Sequence, residues 1–223
     1  MSSLGSPSPF LFGKETSLTV SRSLRFNDAD NAYLTRTPSS AGDRRTWTWS
    51  GWVKRANSTT NMNLFSVRES STVRTIIRLT DGLDFLDDDV NFRLKTSQVF
   101  RDFSAWYHFV IVSNTTDNTS SNRLKIYVNG EQITSFSIST YPSQNYESQI
   151  NNTYAHALGR EGAQNNDYLD GYMAEVNFVD GYAYDSSYFG ETDTTTGQWN
   201  PKKYTGSYGT NGFYLNFSDN SGT

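Results

Sequence analysis

The stretch Thr46–Arg55, TWTWSGWVKR, holds three of the chain's five tryptophans. Because successive side chains of an extended strand point to opposite faces, alternate positions from Trp47 to Val53 share one strongly apolar face. The opposite face carries polar side chains and a single large ring, Trp52. This pattern predicts a central antiparallel strand with its heavy face in the core of a sandwich. Two interpretations of Trp52 are open: the floor of a binding groove, or a ring covered by a loop.

The composition is typical of an all-β protein with polar loops. The chain has 14 Tyr and 14 Phe among 223 residues, which is enough for one large sandwich. The net charge is −4, with no basic patch, so we expect no nucleic-acid partner. The absence of cysteine excludes a disulfide framework and thiol chemistry. No long apolar run is present, and the N-terminus lacks the features of a signal peptide, so we expect neither membrane insertion nor secretion.

The remaining strands follow from alternation and turn residues. Residues 106–113 (WYHFVIVS) predict a central strand covered on both faces, and Asn129–Gly130 predicts a hairpin turn. Residues 168–179 predict a strong strand on which Tyr172 and Phe178, with the alternate positions between them, face the core. Asp185–Phe189 predicts one helical turn capped by Asp185. About a dozen short strands with almost no helix predict a two-sheet antiparallel jelly roll.

The chain divides into three predicted segments: an N-terminal arm (1–20), a β-sandwich (21–189) and a C-terminal extension (190–223) whose final strand packs on the sandwich. Large apolar side chains in the arm and the extension predict contacts with other subunits. The alternative is that these rings fold back over their own sandwich. The candidate assembly residues are Phe10, Leu11, Phe12, Trp199 and Tyr204.

Four blocks of sequence resemble the laminin-G-like, concanavalin A-like lectin/glucanase superfamily. They are SLRFNDADNAYLTR (23–36), TWTWSGWVKR (46–55), WYHFVIVSN with LKIYVNGEQI (106–114 and 124–133), and LGR followed by YLDGYMAEVNFVDGYAYD (158–185). The resemblance covers residues 22–185 and implies a concanavalin A-like jelly roll.

The tail of the chain, residues 190–223, resembles segments that follow such domains in large virion proteins of marine tailed phages. This resemblance implies a tail-fibre, appendage or capsid-surface protein that is made in the host cytoplasm and located in the virion. The implied partners are other virion proteins, bound through the N-terminal arm, and host surface glycans. Appendages of this kind are usually homotrimers, so a trimer is the expected oligomer.

Catalysis is not predicted. Glucanases of this fold carry paired carboxylates on one sheet face, about 5–5.5 Å apart, for a retaining mechanism. The one Glu-x-Asp motif, Glu191 to Asp193, lies in a predicted loop, and Glu175 stands alone on its strand. We therefore expect a non-enzymatic protein, and the resemblance of the tail implies that it is part of a virion. A stand-alone carbohydrate-binding module is the alternative, and a glycoside hydrolase is the third possibility.

No cofactor is required by these patterns, and calcium is the one candidate ion. The superfamily often binds Ca²⁺ through Asp and Asn oxygens at the sheet rim, and hard oxygen ligands suit this ion. The alternative is an acidic, solvated turn that protects a sheet edge. The candidate calcium ligands are Asp84, Asp87, Asp88 and Asp89.

A sugar site needs an aromatic platform together with amide or carboxylate groups for the hydroxyls. The predicted loop 139–172 and the outer strand faces supply both kinds of group. The alternative is an ordinary polar loop surface. The candidate carbohydrate-binding residues are Trp52, Tyr141, Tyr146, Asn152, Tyr154, Asn166, Tyr168 and Glu175.

Overall fold

The computed structural model describes residues 18–58, 61–88, 91–162, 164 and 166–218. The described residues form sixteen strands and three short 3₁₀ turns. The strands are β1 Leu24–Phe26, β2 Leu34–Arg36, β3 Thr46–Arg55, β4 Met62–Arg68, β5 Arg74–Leu79, β6 Leu83–Asp87, β7 Phe92–Thr96, β8 Tyr107–Asn114, β9 Leu124–Val128, β10 Glu131–Gln132, β11 Phe136–Thr140, β12 His156–Leu158, β13 Gly171–Asp180, β14 Gly190–Thr192, β15 Trp199–Pro201 and β16 Phe213–Leu215.

Two seven-stranded antiparallel sheets make the sandwich. The first sheet has the order β1-β13-β3-β8-β9-β10, and β16 pairs with β13 on the same edge as β1. The second sheet has the order β11-β7-β6-β5-β4-β12-β2. A separate two-stranded ribbon joins β14 to β15. The predicted two-sheet antiparallel sandwich is confirmed.

The tryptophan strand β3 lies at the centre of the first sheet, between β13 and β8. Trp47, Trp49 and Val53 are fully buried in the main core, as the alternation predicts. Trp49 stacks on Phe65 of the second sheet, with 6.4 Å between ring centroids, so the two sheets interlock here. Each buried indole removes roughly 150–250 Å² of surface from water, worth about 4–6 kcal/mol before the entropy cost of ordering.

Strand β8 is covered on both faces, as predicted. Phe109 and Ile111 belong to the main core between the sheets. Val110 and Val112 face the other way and belong to a second, smaller apolar cluster on the outer face of the first sheet. Residues from the last third of the chain complete this cluster, among them Tyr204 and Tyr208 of the C-terminal extension. The cluster contains Val110, Val112, Val179, Phe189 and Tyr204, with Tyr127, Tyr184 and Tyr208 packed against it.

The predicted facing of β13 is wrong over its first half. Met173 lies in the core and Tyr172 faces outward, whereas Val176 and Phe178 face the core as predicted. The physical reason is a β-bulge: the pairing of β13 with β3 shifts register between Ala174 and Asn177. Glu175, inside the shift, has a φ of 49°. The bulge inserts one extra residue, so the alternation changes phase within the strand.

Two turn predictions are confirmed. Asn129 and Gly130 have φ values of 47° and 92° and connect β9 to β10, as a two-residue hairpin requires. Residues Ser186–Tyr188 form a 3₁₀ turn, and the Asp185 side chain accepts a hydrogen bond from the Ser187 N–H. No helix among the described residues is long and apolar enough to cross a membrane.

Candidate functional site

A cleft with aromatic and polar walls lies where the C-terminal extension folds over the first sheet. We call it the tyrosine cleft, and its volume is about 390 Å³. One wall is the segment 184–188 and the other is the segment 202–206. Its lining residues are Tyr184, Ser187, Tyr188, Lys202, Lys203, Tyr204, Thr205 and Gly206.

Three tyrosine rings stack beside and within this cleft. The rings of Tyr182 and Tyr184 are 5.4 Å apart and nearly parallel, and those of Tyr184 and Tyr188 are 4.0 Å apart. The outer two rings are open to solvent, with Tyr182 41% and Tyr188 44% exposed. Large exposed rings fixed by stacking form a preorganised flat surface for the apolar face of a ligand.

The first wall is held by hydrogen bonds to distant strands. The Thr48 hydroxyl, on the outer face of β3, donates to the Tyr182 carbonyl (2.8 Å) and accepts from the Tyr184 N–H (2.9 Å). The Ser186 hydroxyl donates to the Gly130 carbonyl in the β9–β10 turn (2.8 Å). These contacts attach the tyrosine stack to the rigid first sheet.

The second wall is attached to the first. The Lys202 N–H donates to the Phe189 carbonyl (2.9 Å), and the Lys202 ammonium donates to the Ser187 carbonyl across the cleft (3.1 Å). Tyr204 is 6% exposed and its hydroxyl donates to the Ser207 carbonyl (2.8 Å). Burial, and next the hydrogen bond with Tyr184, raise the pKa of Tyr204 above its usual range, so this hydroxyl stays protonated.

The side chains that line the cleft carry positive charge only. Lys202 and Lys203 are both exposed, and no lining residue is a carboxylate. Asp185, next in the chain to Tyr184, accepts hydrogen bonds from the Ser187 N–H and hydroxyl at 2.9 and 2.6 Å. The cleft is thus a local basic site on a chain whose net charge is −4.

Trp52 lies in a second depression on the same sheet face. It is half-buried and lines a groove of about 250 Å³ whose other walls are apolar. Its ring stacks on His108, with centroids 4.9 Å apart. The groove offers few hydrogen-bonding groups, so it suits apolar groups better than a sugar. Its lining residues are Leu18, Val20, Trp52, Trp106, Ala174 and Pro201.

The structure does not bring the predicted sugar-binding residues to one place. Trp52 and Glu175 lie on the first sheet, where the Tyr214 hydroxyl donates to the buried Glu175 carboxylate. Tyr141, Tyr146 and Tyr154 pack against the main core.

The remaining predicted sugar-binding residues, Asn152, Asn166 and Tyr168, lie in the loops before and after β12. Asn152 donates to the Gln149 side chain at 3.2 Å, and the Tyr146 hydroxyl donates to Asp87 at 2.6 Å. Asn166 is exposed and Tyr168 half-buried. Both lie in the connection between β12 and β13, where the Asn63 N–H donates to the Asp167 carbonyl beside β4.

The predicted calcium ligands that the structure describes have protein partners. Asp84, fully buried on the outer face of the second sheet, accepts from Arg93 at 2.9 Å and from Arg78 at 3.0 Å. Asp87 is buried on the opposite face, where Thr75, Tyr146 and Asn91 donate to it.

The two other predicted calcium ligands are Asp88 and Asp89. Asp88 lies 3.9 Å from Arg74, and Asp89 is outside the described residues. Within the described ranges, no three His, Cys, Asp or Glu side chains are grouped to hold a metal ion. The calcium site stays a prediction.

One carboxyl pair does occur, in the connection between β12 and β13. Burial, and next the hydrogen bond and charge of Glu161, raise the pKa of Asp167 to about 6. Glu161 is 2% exposed and accepts hydrogen bonds from Arg68 and, at 3.4 Å, from Arg74. The paired carboxyl groups are therefore enclosed by arginines, and Glu161 is closed to a substrate.

The predicted assembly residues divide into two groups. Phe10, Leu11 and Phe12 lie outside the described residues. Trp199 and Tyr204 pack within their own chain, which is the alternative that the sequence left open. The Trp199 indole donates to Nδ1 of His108 (3.0 Å), and Tyr204 is part of the second apolar cluster and the tyrosine cleft.

Sequence reasoning missed the residues that define the tyrosine cleft, apart from Tyr204. Tyr182 lies in the last of the four resembling blocks, and Lys202 and Lys203 lie in the C-terminal extension; none of the three was a binding candidate. A signal was present: tyrosines at 182, 184 and 188, then Lys-Lys-Tyr at 202–204, are a dense aromatic and basic set. The sequence alone does not indicate that the two segments face each other.

A family model for the concanavalin A-like lectin/glucanases superfamily matches residues 27–187. The chain belongs to this superfamily, whose domains are of the carbohydrate-binding, lectin type. No functionally curated protein matches the sequence.

Similar solved structures come from diverse organisms. Domains LG4-5 of the mouse laminin α1 chain match with a TM-score of 0.51 and 10% identity, over 90% of this chain and 48% of that one. A heptameric SAP-like pentraxin from Limulus polyphemus matches with a TM-score of 0.47 and 16% identity, over 73% of this chain and 76% of that one. The CBM40 of a Ruminococcus gnavus IT-sialidase matches with a TM-score of 0.44 and 13% identity, over 70% of this chain and 95% of that one. At 10% identity the likeness to the laminin domains shows the fold alone.

Proposed function

We propose that this chain is a non-enzymatic glycan-binding protein of a virion surface or tail appendage, and that the tyrosine cleft is its sugar site. The observation that carries the proposal is the exposed stack of Tyr182, Tyr184 and Tyr188 at a cleft with ammonium and hydroxyl groups. The lectin-type superfamily is consistent with this role.

The chemistry of the cleft matches what a sugar ring requires. A pyranose has an apolar face of C–H groups, which packs on an aromatic ring, and an equatorial belt of hydroxyls, which needs donors and acceptors. The outer ring of the stack that lines the cleft, Tyr188, supplies the first, and Ser187, Lys202 and Thr205 supply the second. The volume of about 390 Å³ lies within the 300–1,000 Å³ typical of ligand sites.

The absence of catalysis is supported by the surroundings of the described carboxylates. The cleft lining includes none, so a general acid and a nucleophile are both missing there. Asp193, from the Glu-x-Asp motif, accepts from the N–H groups of Thr195 and Thr196 in its own turn. Glu175 is buried against Tyr214, and burial raises its pKa.

The virion role is supported by the resemblance of residues 190–223 to segments of tailed-phage virion proteins. We propose that the arm, residues 1–20, attaches the domain to other virion proteins and that the cleft binds host glycans. Mass spectrometry of purified particles that encode this chain tests the location. Peptides in the stoichiometry of a structural protein support the role, and their absence from particles would leave a stand-alone binding module.

The glycan site is tested by a glycan array followed by calorimetry with the best oligosaccharide. We expect Tyr188→Ala to weaken binding about fivefold or more, since stacking of a ligand face on one aromatic ring is worth roughly 1–3 kcal/mol. Tyr33→Ala is the matched control, because Tyr33 is 40% exposed and lies next to β2 of the second sheet under the Arg160 guanidinium. Equal loss in both variants, or in neither, would contradict the site.

A further inference from the structure

We infer that the tyrosine cleft selects glycans that carry an anionic group, a carboxylate or a sulfate, over their neutral counterparts. The inference rests on the proposed function and names the ligand class of the same site. The observation that supports it is the positive charge of the cleft: the lining residues include Lys202 and Lys203 and no carboxylate.

The two ammonium groups differ in their roles. Lys202 spans the cleft and donates to the Ser187 carbonyl at 3.1 Å, so this ammonium is held in place beside the tyrosine stack. It has further donors to spare, since an ammonium carries three N–H bonds. Lys203, the next residue, is exposed and lines the same cleft.

Among the described residues, Asp185, next in sequence to the lining residue Tyr184, forms no ion pair with Lys202 or Lys203. Its carboxylate accepts two hydrogen bonds from Ser187 in the 3₁₀ turn. A neutral sugar would use the tyrosine stack but leave two cations without a counter-charge. A carboxylate or sulfate on the sugar ring would accept charge-assisted hydrogen bonds from them, which are stronger than neutral ones.

Two matched pairs of ligands distinguish a preference for carboxylates from a preference for sulfates. One pair is a trigalacturonate and its methyl ester, and the other is a sulfated galactan trisaccharide and its desulfated form. We expect the acid of at least one pair to bind at least about fivefold more tightly than its neutral form at low salt, with the preference falling as NaCl is raised to 0.5 M.

The variants locate the charge. Lys203→Gln is expected to remove most of the preference for the anionic ligand while binding of the neutral form is retained, and Lys203→Arg is expected to keep the preference. Lys95→Gln makes the same change of charge on β7, in the second sheet, and should leave the preference intact. Thermal melts of each variant confirm that the fold is retained.

The outcomes separate this inference from the proposed function. Equal affinity for acid and neutral forms, with loss in Tyr188→Ala, overturns the inference and leaves glycan binding standing. A preference that survives Lys203→Gln, or that Lys95→Gln removes equally, also overturns the inference. If none of the ligands and no glycan of the array binds, the proposed function falls as well.

Discussion

At the scale of single residues, His108 shows how the outer face of the first sheet is held. Its ring lies between Trp52 and Trp199, Nδ1 accepts from the Trp199 indole, and Nε2 is 2.8 Å from the Ser50 hydroxyl. Because the Trp199 indole can only donate, Nδ1 of His108 is unprotonated and the ring proton is on Nε2, which donates to the Ser50 hydroxyl. Burial lowers the pKa of His108 to about 3, so the ring is neutral at all physiological pH values.

This burial makes stability depend on pH. In the unfolded chain the histidine pKa is about 6.5, so as pH falls below that value the unfolded state takes up a proton that the folded state refuses. We expect this difference in the pKa of His108 to lower the free energy of unfolding of the protein by about 2 kcal/mol between pH 7 and pH 5. His156, whose pKa burial lowers to about 4, acts in the same direction, and Asp167, with its pKa raised to about 6, acts in the opposite one.

Urea unfolding at pH 7 and pH 5 measures this effect. The His108→Gln variant should lose about 2 kcal/mol less than the unmodified chain across the same interval, whatever its absolute stability. Identical pH dependence of the two proteins would show that His108 titrates normally in the fold.

Tyr146 separates a structural role from a binding role. Its hydroxyl donates to the buried Asp87 carboxylate at 2.6 Å. We expect Tyr146→Phe to lower the free energy of unfolding by about 1–3 kcal/mol, because a buried charged acceptor loses a partner. Glycan affinity should be unchanged. A variant with normal stability and lost glycan binding would instead restore Tyr146 as a sugar ligand.

At the scale of elements, regular strands were predictable and irregular ones were not. Strict alternation placed Trp47, Trp49 and Val53 in the core, and the structure agrees. The same rule failed over the first half of β13, because the bulge at Glu175 changes the phase. A left-handed φ is typical of glycine and asparagine, so a glutamate in an apolar strand gave no signal.

The bulge is itself testable by deletion of Glu175. Without the extra residue the alternation of β13 would run unbroken, and either Met173 or Val176 would be forced to the wrong face. We expect the deletion to cost more than about 4 kcal/mol or to prevent folding. The control is Glu175→Gln, which keeps the backbone and a hydrogen-bonding group for Tyr214. A deletion variant as stable as the control would contradict the assignment of the bulge.

At the scale of the whole molecule, the C-terminal extension completes the sandwich. It contributes Tyr204 to the second apolar cluster and Trp199 to the cover over His108. A chain that ends at Phe189 would expose Val110 and Val112 to water. We expect that chain to bind an apolar dye or aggregate, whereas a chain that ends at Ser218 should remain a well-folded species with a single unfolding transition.

The candidate site was less predictable than the fold. A sugar site requires aromatic and polar residues, and the loop 139–172 was the predicted place because that loop is rich in Tyr and Asn. The tyrosine cleft is built by long-range contacts instead, from Thr48 to Tyr184 and from Gly130 to Ser186. Contacts between residues more than fifty positions apart leave no periodic pattern for a sequence reading to detect.

The most direct test of glycan binding at the tyrosine cleft is an amide chemical-shift titration of the full chain with its best oligosaccharide. We expect the largest shifts in the segments 184–188 and 202–206, and clearly smaller shifts in Tyr188→Ala at the same subsaturating ligand concentration. Shifts centred on Trp52 and Trp106, or on the connection between β12 and β13, would contradict the cleft as the binding site.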